Sequence, residues 1–338
     1  MAAGDASLIL KRLLFSVGLL LPAIAGAQSV TKYFGYFYGD AMSVPDVPDF
    51  HEFQDHVNLY SIMYWSGDST TPANKDGSEV WVLTELARAK AAHVHAIVPG
   101  YPFVLRQVLN EKCFHDDPDA VRGWNSFTQK MVDQGYLIPG DPERSTVVAV
   151  YLIDEPNGDA CLSDVNGAAH PALQTAFAAI RGNPATATLP VATVLTPDFA
   201  QINQGMKLFD WVGFDHYGDS DSQWYGHFNE MKSRAPGKKY IIVPGASNSC
   251  PKVKNEDPTR FLNTMNTDPD VIWLTPFKWL SSKSDGCIGV RDIPDRRATY
   301  TKVGLDIKAR QCSVSRAAKW FCGKAPNISP GIDYLMGN

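Results

Sequence analysis

The stretch VVAVYLIDEPN at residues 147–157 decides how the rest of the chain is interpreted. Its first seven residues are largely apolar, which is typical of a strand buried on both faces, as in a parallel sheet. Two adjacent carboxylates, Asp154 and Glu155, end the run. Because an unpaired buried charge is costly, they fit at the carboxyl end of the strand, where a sheet opens to a cleft. Pro156 then ends the hydrogen-bonded ladder.

The amino terminus has the three parts of a secretory signal peptide. Lys11 and Arg12 supply positive charge, residues 13–24 are apolar, and AGA at 25–27 matches a small-residue cleavage site. The apolar run is too short for a membrane anchor, which is the alternative. We therefore expect residues 1–27 to be a signal peptide cleaved near Gln28. The mature chain is expected to be secreted or periplasmic and to have no membrane span.

Charge and composition narrow the class of partner. The 338 residues carry a formal charge of −5, and the sequence has no basic patch, which argues against a nucleic-acid partner. Aromatic residues are plentiful, with eight Trp and thirteen Tyr. The length suits one large α/β domain or two small ones, and we expect a monomer.

Strand-like and helical segments alternate along the chain after the signal. Strands are predicted at 33–38, 57–64, 94–98, 147–153, 191–195, 211–214, 240–243 and 271–277. Helices are predicted at 49–56, 79–92, 121–131, 171–182, 198–208, 222–232, 257–265 and 296–310. Such alternation indicates a parallel sheet with crossover helices.

Eight such units predict an α/β fold of the closed (β/α)₈ TIM-barrel type over residues 28–312. Residues 313–338 are expected to form a tail packed on the barrel. A doubly wound open sheet is the alternative, but no glycine-rich phosphate-binding turn follows the first strand.

Six cysteines follow the signal, and an even number in an exported chain favours disulfides. Six cysteines allow 15 pairings. The loops after neighbouring strands of the predicted barrel favour Cys113–Cys161 and Cys250–Cys287, and proximity in the sequence favours Cys312–Cys322. The first two would pin long loops at the catalytic end, and the third would hold the tail.

Catalytic groups of such barrels lie at the carboxyl ends of the strands. Here those ends are rich in carboxylates and aromatic rings: Asp40, Trp65, Tyr101, Asp154, Glu155, Asp215, His216, Tyr217 and Trp279. Neither a metal triad nor a G-x-S-x-G elbow occurs, and we expect no metal and no cofactor. Glycoside cleavage needs one carboxylic acid to protonate the leaving oxygen and a second carboxylate at the anomeric carbon. Flat sugar faces stack on aromatic rings, so we expect a carbohydrate substrate.

The Asp-Glu-Pro at 154–156 resembles the Asn-Glu-Pro signature of the retaining (β/α)₈ glycoside hydrolases. The resemblance implies that Glu155 is the acid/base and that His216 or Tyr217 is the aromatic residue of the sixth strand. It also implies that Trp279 is a sugar platform. The chain departs from that group at the seventh strand, where the group has a nucleophilic Glu. Residues 240–247, YIIVPGAS, contain no carboxylate.

The missing nucleophile leaves several mechanisms open. The adjacent pair of Asp154 and Glu155 is similar to the Asp-Glu pair of substrate-assisted N-acetylhexosaminidases, in which the substrate's acetamido group attacks and the Asp orients it. Inversion, with Asp215 or Asp40 as the base across the cleft, is another route, and it needs the carboxyl groups ~6.5–9.5 Å apart.

Non-catalytic interpretations stand beside these. Asp154 could hold a loop, Asp215 could pair with a basic group, and His216 could be a hydrogen-bonded rim histidine. The whole chain could also be a glycan-binding barrel that has lost its nucleophile.

Overall fold

The computed structural model describes residues 31–37, 39, 50–63, 66–68, 71–108, 111, 113–158, 161–164, 166–199, 204–250, 253–281, 286–314 and 322. The predicted signal peptide, Asp40, Trp65 and all of the predicted tail except Ser313, Val314 and Cys322 lie outside these residues. Within the described part of the chain, no helix combines the length and hydrophobicity that a bilayer crossing requires.

Eight parallel strands form one sheet in the hydrogen-bonded order β1-β8-β7-β6-β5-β4-β3-β2. Their bounds are β1 Tyr33–Phe34, β2 Leu59–Ser61, β3 His95–Pro99, β4 Val147–Asp154, β5 Val191–Leu195, β6 Trp211–Phe214, β7 Lys239–Ile242 and β8 Val271–Leu274. The order follows the chain around a nearly closed barrel, so the predicted TIM barrel is confirmed. The carboxyl ends of all eight strands therefore meet at one mouth.

Helices cover the outside of the barrel. They are α1 Lys75–Ala91, α2 Tyr101–Val104, α3 Ala120–Asp133, α4 Pro171–Gly182, α5 Asp221–Arg234, α6 Thr259–Thr267 and α7 Pro294–Val314. Their apolar faces and the outer faces of the strands share one large buried cluster, whereas a second cluster fills the barrel itself. Phe37, Tyr151 and Trp273 belong to that inner cluster.

Asn58 joins the first and second strands where the sheet meets itself. Its side chain accepts from the Phe34 amide at 2.6 Å and donates to the Lys32 carbonyl at 2.9 Å. Its own amide donates to the Phe34 carbonyl at 3.1 Å. Gly35 follows β1 because a Cβ there would lie 1.8 Å from the Leu59 carbonyl oxygen. β1 is shorter than the predicted strand at 33–38, although the amides of Gly35 and Phe37 still donate to the Leu274 and Pro276 carbonyls.

Other elements also differ from the sequence expectations. Two short hairpins, Ser66–Asp68 with Thr71–Asn74 and Leu105–Arg106 with His115–Asp116, were not predicted, since their strands are short and lack apolar alternation. The helix predicted at 198–208 is a 3₁₀ turn at Gln204–Leu208. The last helix extends beyond the predicted 296–310 in both directions, with Pro294 at its start.

Three disulfides connect the cysteines as predicted. Cα–Cα distances are 5.2 Å for Cys113–Cys161, 4.4 Å for Cys250–Cys287 and 5.6 Å for Cys312–Cys322. The first joins the loops after β3 and β4, and the second joins the loops after β7 and β8. The loops at the barrel mouth are thus cross-linked, and the disulfide-stapled barrel is confirmed.

Candidate active site

Glu155 stands at the tip of β4 in an unusual backbone conformation. Its φ angle is +45°, in the left-handed region that side chains other than glycine rarely adopt. Its amide donates to the Val194 carbonyl on β5 at 2.9 Å, which holds this conformation in place. The side chain is exposed. A strained residue at a strand end that presents a carboxyl group to solvent is a candidate for function.

Asp215 follows β6 and faces Glu155 across the mouth. Its amide donates to the Leu195 carbonyl at 3.0 Å, and its Oδ2 accepts from the Tyr217 hydroxyl at 3.0 Å. The carboxyl groups of Asp215 and Glu155 lie within hydrogen-bonding distance of each other. Its buried Oδ1 finds no other donor among the described residues. Since two ionised carboxylates cannot donate to each other, this contact needs a proton between them.

The surroundings of Asp215 favour its protonated form. Burial raises the pKa of Asp215 well above the ordinary carboxyl range, and the charges of Glu155 and Asp154 raise it further. The hydrogen bond from Tyr217 opposes this shift. Burial and the same three carboxyl groups also raise the pKa of the Tyr217 phenol, so Tyr217 stays a neutral donor.

Asp154 is the third carboxyl group of the cluster. The register of β4 against β5 shifts between Tyr151 and Ile153, as at a β-bulge. The shift brings Asp154 to the side of Tyr151, whose hydroxyl donates to Asp154 Oδ1 at 2.5 Å. Asp154 is half-buried. The two adjacent carboxyl groups therefore have different partners. Asp154 accepts a hydrogen bond from Tyr151, whereas Glu155 contacts Asp215.

A cavity of about 150 Å³ opens beside Asp154. Apolar side chains form much of its wall, and Asp154 contributes the carboxyl group. It is lined by Met63, Pro99, Tyr101, Phe114, Tyr151, Leu152, Ile153 and Asp154. A space of this kind suits a small group that is part apolar and part polar.

The mouth brings together some of the predicted substrate-binding residues. Tyr101 lies in α2, is 5% exposed and lines the cavity. Tyr217 is half-buried, packs on Phe277 with ring centroids 5.8 Å apart, and touches Asp215. His216 is exposed and bonds Asp219 instead of the carboxyl cluster.

The prediction that Trp279 is a sugar platform is wrong. Trp279 is fully buried, and its indole nitrogen donates to Glu52 at 3.1 Å. Its ring packs on Tyr36 at 4.6 Å and on Phe53 at 5.3 Å. No face of the indole is left for a ligand, because the strand-end residue turns outward into the layer under the helices.

Glu256 is a buried carboxylate of this region that the sequence does not reveal. It accepts from the amides of Gly245 at 2.7 Å and Gly218 at 3.2 Å, and it pairs with Arg260. It thus ties the loop after β6 to the loop after β7. Its oxygens are committed to these donors, so it does not replace the absent seventh-strand nucleophile. No local pattern marks it, since it lies in a loop far from any strand end.

Comparisons with known proteins bear on the fold. No family model matches the sequence, and no curated protein matches it. Solved structures with a similar course of the chain include a GH113 beta-1,4-mannanase, with 8% identity over 81% of this chain and 99% of that chain and a TM-score of 0.49. A GH128 (subgroup VI) exo-beta-1,3-glucanase from Aureobasidium namibiae has 12% identity over 81% and 97% of the two chains and a TM-score of 0.45.

A third similar structure is an FMN-binding beta-glucuronidase from Facaelibacterium prausnitzii L2-6. It has 9% identity over 77% of this chain and 41% of that chain, with a TM-score of 0.48. All three are glycoside hydrolases. Since every score lies below 0.5, the chemistry of this chain has to be sought in its own side chains.

Proposed function

We propose that the chain is a glycoside hydrolase in which Glu155 is the general acid and then the general base. The observation that carries the proposal is the cluster of three carboxyl groups at the barrel mouth. Glu155 hydrogen-bonds Asp215, and Asp154 lies close enough to act on the same group electrostatically. Tyr151 and Tyr217 orient the two aspartates. Glycosidic cleavage needs a carboxylic acid beside a second carboxylate.

Glu155 is the member of the cluster that can reach a substrate. It is exposed at the mouth, whereas Asp215 is held from behind by Tyr217. In the first step, the proton that Asp215 and Glu155 share passes through the Glu155 carboxyl group to the glycosidic oxygen, and the bond from that oxygen to the anomeric carbon breaks. Asp215 acts through Glu155, because its hydrogen bond fixes the orientation of that carboxyl group.

The contact between Glu155 and Asp215 weighs against Asp215 as an inverting base. An inverting pair needs ~6.5–9.5 Å between its carboxyl groups, and a retaining pair about 5–5.5 Å, so that sugar and nucleophile fit between them. Two groups in hydrogen-bond contact leave no such space. Asp40 lies outside the described residues, so its part in inversion stays a prediction.

The position of Asp154 favours a substrate-assisted route. Asp154 lines the small cavity, whose apolar wall could accept the methyl group of an acetamido substituent. The acetamido oxygen would then attack the anomeric carbon as the leaving group departs, while Asp154 accepts a hydrogen bond from the acetamido N–H. Water, deprotonated by Glu155, would open the resulting ring and restore the acetamido group.

A glycan-binding barrel without catalysis is the second candidate. In its favour, residues 239–250 at and beyond β7 carry no carboxylate. Against it stands the second carboxyl group in contact with Glu155, which simple binding does not require. Measuring glycan hydrolysis distinguishes the binding protein from the hydrolase.

The test is digestion of paired glycans that differ only in an N-acetyl group, with wild type and Asp154→Asn. We expect wild type to cleave the acetylated member and Asp154→Asn to lose that activity. Asp133→Asn, on the outer helix α3, is the control and should match wild type. Binding without any cleavage across the panel would support the second candidate instead.

Export is also part of the proposal. Three disulfides suit an oxidising compartment. Amino-terminal sequencing of the mature protein should give Gln28 as the first residue if the predicted signal is cleaved.

A further inference from the structure

A second cluster of ligand-type side chains lies on the loop after β6, outside the carboxyl cluster. It consists of His216, Asp219 and His227, whose candidate ligand atoms all lie within 4.8 Å of one another. We infer that these three side chains form a binding site for a divalent transition-metal ion of the Zn²⁺ type. The inference does not depend on the proposed hydrolase function.

Asp219 is the centre of the cluster. Its Oδ1 lies 2.8 Å from Nδ1 of His216, and its Oδ2 lies 3.0 Å from Nδ1 of His227. The Asp219 side chain is only 5% exposed, whereas His216 and His227 are 46% and 31% exposed. A buried carboxylate thus holds two imidazoles with their ring nitrogens converging from the solvent side.

The donor set matches the preference of zinc. Two imidazole nitrogens and one carboxylate oxygen are zinc ligands at about 2.0–2.2 Å, and three-ligand sites leave the fourth position to water. Ligand atoms around such an ion lie roughly 3.3 Å apart in a tetrahedron. The three candidate ligand atoms lie within 4.8 Å of one another, so small side-chain rotations bring them to this spacing. Binding at Nδ1 needs each neutral imidazole in the Nε2–H tautomer, so the Nδ1 proton would be exchanged through solvent for one on Nε2, with no net loss of protons from the neutral rings.

Contacts around the cluster hold its side chains and its loop in place. The His227 ring packs edge-on against Phe199 and Phe214, with centroids 6.4 and 6.1 Å away. Arg260 donates to the Asp219 carbonyl at 2.7 Å, which fixes the loop. Support of ligands by such outer contacts is typical of metal centres.

Charge in the neighbourhood is predominantly negative. Arg260 is the guanidinium nearest Asp219, and it also bonds the carboxylates of Asp221 and Glu256. Two carboxyl groups thus pair with this guanidinium, which reaches Asp219 only at its main-chain carbonyl. The Asp219 carboxylate is left to the two imidazoles.

The consequence concerns the loop that bears Asp215 and Tyr217. His216 lies between these two residues in the sequence, and His227 lies on α5. A metal held by both would fix the loop to the helix. Metal binding should therefore raise the thermal stability of the protein.

The experiment is calorimetric titration of the full chain with Zn²⁺ after treatment with a chelator. We expect one Zn²⁺ per chain. His227→Ala and Asp219→Asn should each weaken binding at least about tenfold, by analogy with the loss of supporting contacts at known sites. His115→Ala is the matched control, because His115 also pairs with a carboxylate, Glu111, but lies elsewhere.

A spectroscopic readout guards against nonspecific binding. Co²⁺ at the site should give the visible absorption of a four-coordinate N/O complex in wild type and in His115→Ala, and not in His227→Ala. A rise in melting temperature with Zn²⁺ should follow the same pattern. If binding is absent, or is unchanged in both His227→Ala and Asp219→Asn, the cluster is a hydrogen-bonded network only and the inference is wrong.

Discussion

The carboxyl groups of Glu155 and Asp215 share a hydrogen bond at the mouth of the barrel, although they come from the loops after two non-adjacent strands. One strand, β5, separates β4 from β6, and both loops are fixed by main-chain bonds to it. The contact is therefore a property of the barrel and not of any local segment. In the proposed mechanism, Asp215 is a positioning residue for Glu155.

Tyr217→Phe tests the positioning of Asp215. The change removes the hydroxyl that donates to Asp215 Oδ2 at 3.0 Å and keeps the ring that packs on Phe277. We expect kcat to fall by up to about tenfold, because one hydrogen bond between neutral groups is worth about 0.5–1.5 kcal/mol, with little change in KM. Tyr225→Phe removes a hydroxyl from α5 that contacts Thr264 and should leave kcat unchanged. Equal effects of the two changes would contradict the assignment.

The left-handed backbone conformation of Glu155 predicts that a glycine at this position is more stable than an alanine. Glycine adopts φ near +45° without strain, so Glu155→Gly should raise the free energy of unfolding by about 0.5–1 kcal/mol over Glu155→Ala. Both variants should be inactive, because both lack the carboxyl group. Urea denaturation measures the difference. A glycine variant less stable than the alanine variant would show that the strain is not present.

His95 predicts a loss of stability in acid. It lies in the barrel interior with Nδ1 at 2.8 Å from the Ser145 carbonyl, against the Tyr33 ring. Burial lowers the pKa of His95 from 6.5 to about 4. Between these values the unfolded chain binds a proton that the folded chain does not, so stability is full above pH 6.5 and falls as the pH drops toward about 4.

The shift corresponds to up to about 3 kcal/mol. His95→Asn keeps a nitrogen donor near the Ser145 carbonyl and removes the titration. The variant should be less stable at neutral pH and show a flatter decline in acid than wild type. Chemical denaturation at several pH values measures both. Parallel curves for the two proteins would rule out this role.

Asn58 is expected to stabilise the closure of the barrel between β1 and β2. Asn58→Ala leaves the Phe34 amide and the Lys32 carbonyl without their side-chain partner, and we expect a loss of about 2–4 kcal/mol in the free energy of unfolding. Asn125→Ala removes an exposed side chain that bonds only Asn183 among the described contacts, and it should change stability little. Similar losses of unfolding free energy in both variants would mean that closure of the barrel does not depend on Asn58.

Much of the fold is readable from the sequence, because strand and helix periodicities are local. The apolar run at 147–153 and its carboxylate end predict β4 and its place at the mouth. The disulfides follow once the strand order is known, since Cys113 and Cys161 then fall in neighbouring loops. The short hairpins do not follow, because their strands of two to four residues are too short to show a periodicity.

The site is readable only in part. Asp154, Glu155 and Asp215 are marked by their position after strands, and the structure brings them together. The outward turn of Trp279 depends on packing against Tyr36, which no local pattern reveals. Glu256 reaches the mouth from a loop, and its partners Gly218 and Gly245 are distant in sequence.

The rate of glycoside hydrolysis by Glu155→Gln is the most direct test of the proposed function. The amide keeps the shape of the side chain and can still hydrogen-bond Asp215, but it cannot transfer the proton to the leaving oxygen. We predict a fall in kcat of about 10²–10⁴-fold on a substrate that wild type cleaves, with the same circular dichroism and melting behaviour. A Glu155→Gln variant that hydrolyses the same glycan at the wild-type rate would contradict it.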